Sequence, residues 1–398
     1  MIDRKQYLDK LRLYRDKQLI KVISGIRRAG KSTLLQMFRQ ELLDSGIDEK
    51  QTITINFEDL AYRDILTAEA AYDYIAERLL PDKKNYIFLD EVQNVAQFEK
   101  MADSLFIKDN VDLYITGSNA YFLSSDLATV LTGRYIQIHM FPLSFAEYIS
   151  GFADNSNLPL LYANYINYGS FPQTLDLFLD NPEAVKPYLQ SIYDTILFKD
   201  IVARRNIKQE MMLQDVTKFA FDNIGNFTSP HGIASALTSA GRKISNHTVE
   251  DYITALTDSF VLYRADRYDI KGKSILRTQQ KYYCVDLAFR QLLSKTSPSD
   301  YGRVLENVVF LELLRRYDKV MIGKNDTKEV DFVVMLGDEV HYYQIALTVR
   351  DDTTRARELE AFPADHHAKF LLTLDPEEGN IEGIKQLNAL TWLTEVLV

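Results

Sequence analysis

Gly25-Ile26-Arg27-Arg28-Ala29-Gly30-Lys31-Ser32 matches the phosphate-binding pattern G-x-x-x-x-G-K-[ST] at every fixed position. The β-branched run Leu19-Ile20-Lys21-Val22-Ile23 precedes it, and the helix-like run Ser32-Thr33-Leu34-Leu35-Gln36-Met37-Phe38 follows. Strand, glycine-bearing loop and helix are the context in which the pattern carries chemistry; a glycine turn before a surface lysine needs no such flanks. Gly25 and Gly30 let the backbone curl, so that the amides of Arg28, Ala29, Gly30, Lys31, Ser32 and Thr33 can point at phosphate oxygens. The same amides open a helix whose N-terminal dipole favours an anion. Lys31 is expected to neutralise the β- and γ-phosphates, and the Ser32 hydroxyl to sit on Mg²⁺. This is a nucleotide site.

Working outward, the pattern of an α/β domain surrounds it. A charged helix over residues 1 to 16, expected to be exposed, leads in. Thr52-Ile53-Thr54-Ile55-Asn56-Phe57 makes a second strand, and a helix from Thr67 to Leu80 ends at Pro81. Asn85-Tyr86-Ile87-Phe88-Leu89-Asp90-Glu91 is an apolar strand that finishes in two acids. Behind a phosphate loop, Asp90 is placed to hold the Mg²⁺ hydration shell, and Glu91 to polarise an attacking water as general base. Without the loop the two acids would read as the solvated end of a strand. A further strand, Val111 to Thr116, ends in Gly117-Ser118-Asn119-Ala120. A polar side chain at that tip is expected to point into the cleft, where P-loop ATPases in general use such a residue to orient water. Asn119 is the first candidate and Ser118 the alternative, against the plain turn that Gly-Ser-Asn also spells. Leu131-Thr132-Gly133-Arg134 then leads into the strand Tyr135 to Met140. Five strands alternating with helices give a parallel sheet covered on both faces.

This order of motifs resembles the AAA-type P-loop ATPase core. Leu89-Asp90-Glu91-Val92-Gln93 and Phe141-Pro142-Leu143-Ser144-Phe145-Ala146-Glu147-Tyr148 narrow the likeness to prokaryotic AAA-type ATPases that carry a C-terminal domain of unknown function. The resemblance implies a strand order of 5-1-4-3-2, a helical lid after the core, and ATP as the nucleotide. No guanine-reading Asn-Lys-x-Asp is present. It also places Arg134 where the family's arginine finger lies, reaching a neighbouring subunit's γ-phosphate, so a homo-oligomer through Arg134 is implied. A surface ion pair is the other reading of Arg134. Glu58 and Asp59 end the second strand and read as solvated acids.

The remaining chain divides by pattern into a helical lid over 143–205, a winged-helix domain over 206–282 and a degenerate nuclease-like domain over 283–398, with the ATPase core at 1–142. The would-be reading helix of the winged helix carries Glu250 and Asp251 and no arginine, which favours a structural or protein-binding role over DNA reading. In the last segment a helical Glu306, a strand Asp331 and a strand pair spaced by one residue resemble the restriction-endonuclease-like layout. Active members place a carboxylate and a lysine at that pair; here stand Gln344 and Ala346. The neutral amide and the missing lysine imply a fold kept without nuclease chemistry. His366 and His367, adjacent on the chain, read as a polar loop whose rings point apart.

Composition sets outer bounds. A chain of 398 residues with 46% hydrophobic and 26% charged residues is an ordinary globular protein with room for several domains. One cysteine, Cys284, excludes an internal disulfide framework. The charged start and the lack of a long apolar run argue against a signal peptide or membrane span and for a cytoplasmic protein. A net charge of −10 is the wrong sign for a protein that chiefly neutralises DNA phosphates, so any DNA binding should be weak. The expected function is Mg²⁺-dependent ATP hydrolysis that drives a conformational change or remodels a protein or nucleic-acid client. A slow nucleotide-gated scaffold is the alternative.

Overall fold

Every residue of Ile20–Ser24 is buried, which marks this strand, β1, as an interior strand of a sheet covered on both faces. The computed structural model describes residues 2–118, 131–294 and 297–395 and divides into two compact units. The first comprises residues 1–142 with 258–260, the second residues 143–257 with 261–398.

In the first unit, helix α1 (Lys5–Tyr14), β1, α2 (Lys31–Asp44), β2 (Thr52–Asn56), α3 (Ala68–Ala76), β3 (Asn85–Asp90), α4 (Phe98–Phe106), β4 (Val111–Gly117) and β5 (Tyr135–His139) follow in order. The sheet order is β2-β3-β4-β1-β5 and all pairings are parallel, which is the 5-1-4-3-2 order implied by the resemblance. Alternating strand residues feed two cores. Ile20, Val22, Ile55, Leu89 and Ile115 pack with α3 and α4 on one face; Ile23, Phe88 and Tyr114 pack with Leu34 and Phe38 of α2 on the other.

Two features of this unit are decided by packing. Helix α1 is amphipathic, not exposed all round: Tyr7, Leu8 and Leu11 are buried in the α2-side core, while Leu13 faces solvent. Lys21, in the middle of the apolar run of β1, is wholly buried against Asp112 of β4. Burial pulls the Lys21 ammonium downward and Asp112 opposes this. Asp112 also accepts from the Asp16 N–H (2.9 Å) and the Tyr114 hydroxyl (2.8 Å), so the buried charge is fully partnered.

The second unit begins with helices Phe145–Ile149, Leu158–Tyr168, Pro172–Asp180 and Val185–Thr195, the last continuing as a π-helical stretch through Ala203. Three helices, Glu210–Asp222, Pro230–Ser239 and Asn246–Asp258, follow, and the unit also holds a nine-stranded mixed sheet. Its strands are β6 (Phe227–Thr228), β7 (Leu262–Asp269), β8 (Ser274–Cys284), β9 (Val320–Asn325), β10 (Lys328–Leu336), β11 (Glu339–Ile345), β12 (Ala368–Thr373), β13 (Gly379–Ile381) and β14 (Ile384–Asn388). The β7–β8 hairpin joins the later strands through a parallel β7–β9 pairing. The boundary drawn at 282/283 therefore cuts through β8, inside one continuous sheet. Helix Tyr301–Arg316 is buried along most of its length, and Asn307 stitches it to the end of β8 by exchanging hydrogen bonds with the Cys284 backbone, both 2.9 Å. The rings of His366 and His367 lie 4.4 Å apart between centroids with their planes tilted by 34°, so they do not point apart.

Candidate nucleotide site

Parallel pairing puts the C-terminal ends of β1, β3 and β4 on one edge of the sheet. The glycine loop leaves β1 there, Asp90 and Glu91 leave β3, and Ser118 follows β4. Gly25 has φ +147° and lies so near the end of β5 that a Cβ would stand 2.1 Å from the Met140 carbonyl oxygen. No side chain fits at that position. Gly30, at φ 100°, is the left-handed N-cap of α2. No side chain caps this 14-residue helix, whose first amides are those of Lys31, Ser32 and Thr33. Arg28 is also left-handed, at φ 69°. Lys31 is buried, and its ammonium donates to the Gly25 and Ile26 carbonyls at 2.9 and 3.1 Å, inside the curl of the loop.

The loop is braced from outside by residues the sequence did not single out. Buried Arg4, just before α1, donates to the Ala29 carbonyl (3.3 Å) and the Phe141 carbonyl (2.7 Å). The Tyr7 hydroxyl accepts from the Phe141 N–H at 3.1 Å. Arg27 pairs with Glu58 at 3.4 Å, so Glu58 faces the loop and is not merely a solvated strand end.

The acidic half of the site is built around Thr116, which is fully buried. Its hydroxyl donates to Asp90 Oδ1 at 2.5 Å and accepts the Glu91 N–H at 3.0 Å. Glu91 is left-handed (φ 53°, ψ 45°), a conformation that costs a non-glycine residue of order 1 kcal/mol and persists where partners hold it. Its side chain is buried and accepts a hydrogen bond from the Gln93 amide, which also donates to Ser118 Oγ at 3.4 Å. Neither Thr116 nor Gln93 was foreseen. The only signal for Thr116 was a hydroxyl interrupting the apolar run Leu113-Tyr114-Ile115. Asn119 lies outside the described residues; Ser118, its alternative, is buried at the tip of β4. Arg134 stands at the other edge of the sheet. Its carbonyl accepts the Ile20 N–H at the start of β1, and its guanidinium pairs with Asp103 of α4. Four residue steps along β1 separate it from the glycine loop, roughly 13 Å of strand rise.

Serine and aspartate oxygens are the donor set a hard divalent cation takes, and an open glycine curl lined by amides and one ammonium suits a polyphosphate. The residues present therefore fit both Mg²⁺ and a nucleoside triphosphate.

In the second unit Glu306, Asp331 and Gln344 do come together, around a lysine the sequence reading missed. Lys281 of β8, buried, sits 2.9 Å from Glu306 and 2.6 Å from Glu329. The Tyr283 hydroxyl donates to Glu306 at 2.6 Å. Asp331 accepts the Ile345 N–H at 2.8 Å; its own N–H donates to Gln344, whose amide donates to Glu358 at 2.7 Å. Burial and the Glu306 carboxylate push Asp331 well above the usual carboxylate range. Ala346 is buried and brings no functional group to this cluster. Among the described residues no group of three or more His, Cys, Asp and Glu side chains is arranged to hold a metal ion, and no helix is long and apolar enough to cross a membrane.

The first unit has the fold and the loop of a P-loop, AAA-type ATPase domain. Comparison with known proteins agrees: residues 17–149 match the model of a family described as an AAA domain, and residues 160–300 match a domain of unknown function. An uncharacterized protein of Haemophilus influenzae is 37% identical over 99% of both chains. One of Methanocaldococcus jannaschii is 30% identical over 86% of this chain and 78% of its own. The chain belongs to one family with these two proteins. Among solved structures, a Walker-type ATPase of Pyrococcus abyssi has the same fold, with a TM-score of 0.51 at 17% identity, over 74% of this chain and 96% of that one.

Proposed function

We propose that the protein binds ATP with Mg²⁺ and hydrolyses it, and that the cycle changes the conformation of the protein or remodels a protein or nucleic-acid client. The observation that carries this reading is the convergence, on one edge of a single parallel sheet, of the glycine loop with Lys31 and of the Thr116-tied pair Asp90 and Glu91. The amides from Arg28 to Thr33 hold phosphate oxygens, and Lys31 leaves the loop carbonyls to neutralise the β- and γ-phosphates. Ser32 and Asp90 hold Mg²⁺, which when bound balances phosphate charge. Glu91 takes a proton from water as the water oxygen bonds to the γ-phosphorus, and the bond to the β-phosphate oxygen breaks with its electron pair leaving on ADP. Ser118 or Asn119 orients that water. Arg134 acts on a neighbouring copy's site, which its position on the far edge from its own loop supports.

The second unit is read as a winged helix joined to a nuclease-like sheet that has lost its chemistry. Three helices followed by the β7–β8 hairpin support the first part. Gln344 and Ala346 support the second. The helix Asn246–Asp258 carries His247 paired with Asp251 and exposed Glu250, so contact with DNA, where it occurs, is weak and fades with salt. A slow, switch-like chain is the second reading. It is favoured by the pairing of Arg134 with Asp103, which leaves an isolated chain without a finger for its site.

Phosphate release from ATP and GTP, with and without a chelator, tests the proposal. Release from ATP that stops when Mg²⁺ is removed is expected; no release under any condition, alone or at high protein concentration, would refute it.

A further inference from the structure

We infer that Gln93 is a positioning residue for the catalytic glutamate: its amide fixes the Glu91 carboxylate and links it to the tip of β4. The inference rests on Glu91 being the base of the proposed ATPase. It starts from local backbone. Glu91 in the left-handed region turns the chain sharply out of β3, and the next residues close a tight turn, with the Asn94 N–H on the Glu91 carbonyl at 3.1 Å and the Val95 N–H on the Val92 carbonyl at 3.0 Å. Val92 anchors this turn in the α3–α4 core. The turn brings Gln93, two residues on, back over the Glu91 side chain.

There the amide nitrogen of Gln93 donates to Glu91 Oε2 and, at 3.4 Å, to Ser118 Oγ. Reversing the amide would set its carbonyl against the carboxylate, two acceptors facing each other, so the donor orientation is the one the contacts demand. Gln93 Oε1 is buried and has no hydrogen-bond partner among the described residues. Leaving a buried acceptor unmade is costly. What the amide does make is the hydrogen bond to Glu91.

The consequence for catalysis is specific. A carboxylate on a flexible two-carbon stem can occupy many rotamers, and a base out of place by an ångström loses much of its effect. With Oε2 tied to Gln93 and the backbone N–H tied to Thr116, the Glu91 side chain presents its other oxygen in one direction. Ser118, at the other end of the Gln93 amide, ties this direction to β4. Gln93 itself binds neither phosphate nor metal in this scheme, so its loss should spare ATP binding.

The test is ATP affinity and steady-state turnover for wild type, Gln93→Ala, Gln93→Glu, Glu91→Gln and the double variant Gln93→Ala/Glu91→Gln. Gln93→Ala should lower kcat ~10-fold, the scale of one positioning hydrogen bond, with ATP affinity within ~2-fold of wild type. Gln93→Glu keeps the shape but replaces the donor by a carboxylate, and should fall at least as far. It also decides the case if the alanine variant folds poorly. In the Glu91→Gln background, Gln93→Ala should cost nothing further, because it acts through the residue already lost. Wild-type or faster turnover in both Gln93 variants, or losses that multiply in the double variant, would overturn the role of Gln93. Wild-type turnover no higher than that of Lys31→Ala would instead overturn the ATPase reading itself.

Discussion

Thr116→Val is the most informative single substitution, because one hydroxyl serves both acids. Valine matches threonine in shape, so packing is kept and only the hydroxyl is lost. Two hydrogen bonds go with it, one to the Asp90 carboxylate at 2.5 Å and one from the Glu91 N–H at 3.0 Å. A bond to a charged group contributes about 2 kcal/mol, and a buried N–H left without a partner costs about 1 kcal/mol or more. The first unit should therefore lose ~3 kcal/mol of stability. Its turnover should fall ~100-fold, because the base loses the tether that keeps its backbone left-handed. Thr116→Ser restores the hydroxyl and should recover most of the rate. Urea unfolding resolves the site of the damage. The one tryptophan, Trp392, lies in the second unit. Its fluorescence should be unchanged while the far-ultraviolet circular dichroism shows an earlier transition. A Thr116→Val protein that hydrolyses ATP at the wild-type rate would refute the argument that this hydroxyl organises the acidic half of the site.

Lys281→Met leaves Glu306, Glu329 and Asp331 crowded without their buried cation, and should cost the second unit ~3 kcal/mol or more. The Trp392 fluorescence transition reports it, and acidification should recover part of the loss as Asp331 takes up a proton; an unshifted transition would contradict this. Asp300 works in the opposite sense. Burial opposes its ionisation, but hydrogen bonds from Arg290, the Ser297 N–H and Arg303 outweigh that and hold its carboxyl down at about 2. Its contribution is therefore complete above the ordinary value of 3.8 and is lost as pH falls toward about 2, so Asp300→Asn should flatten the stability curve in that window and not above it. Arg134→Ala should leave ATP affinity intact while cutting turnover ~10³-fold in an assembly. Mixed with Lys31→Ala it should regain activity, since intact pockets then meet intact fingers; a mixture as inactive as its parts, with a monomer in sedimentation, would leave Arg134 as the partner of Asp103.

What could be read ahead of the structure follows physical lines. The glycine loop, Lys31, Asp90 and Glu91 were legible because charged and glycine residues at fixed spacings, beside β-branched runs, have few other uses. Thr116, Gln93 and Arg4 were not, because a neutral side chain or an early arginine acquires its role only from what the fold sets against it. Thr116 meets Asp90 across two paired strands, and Arg4 meets the Ala29 carbonyl 25 residues further along the chain. Lys21 in β1 reads as an anomaly until Asp112 is seen beside it. The boundary at 282/283 failed for a related reason. The parallel pairing of β7 with β9 joins residues more than 50 apart, and no local pattern in β8 announces that its last residues carry the lysine of the Glu306 cluster.

The most direct measurement is a single-turnover experiment with ATP labelled at the γ-phosphate, run on wild type, Lys31→Ala and Glu91→Gln with Mg²⁺. Wild type should bind and cleave. Glu91→Gln should bind with wild-type affinity and cleave at least ~100-fold more slowly, and Lys31→Ala should retain no label. Equal cleavage by wild type and Glu91→Gln, or undiminished retention by Lys31→Ala, would contradict the assignment of this loop and this glutamate to ATP hydrolysis.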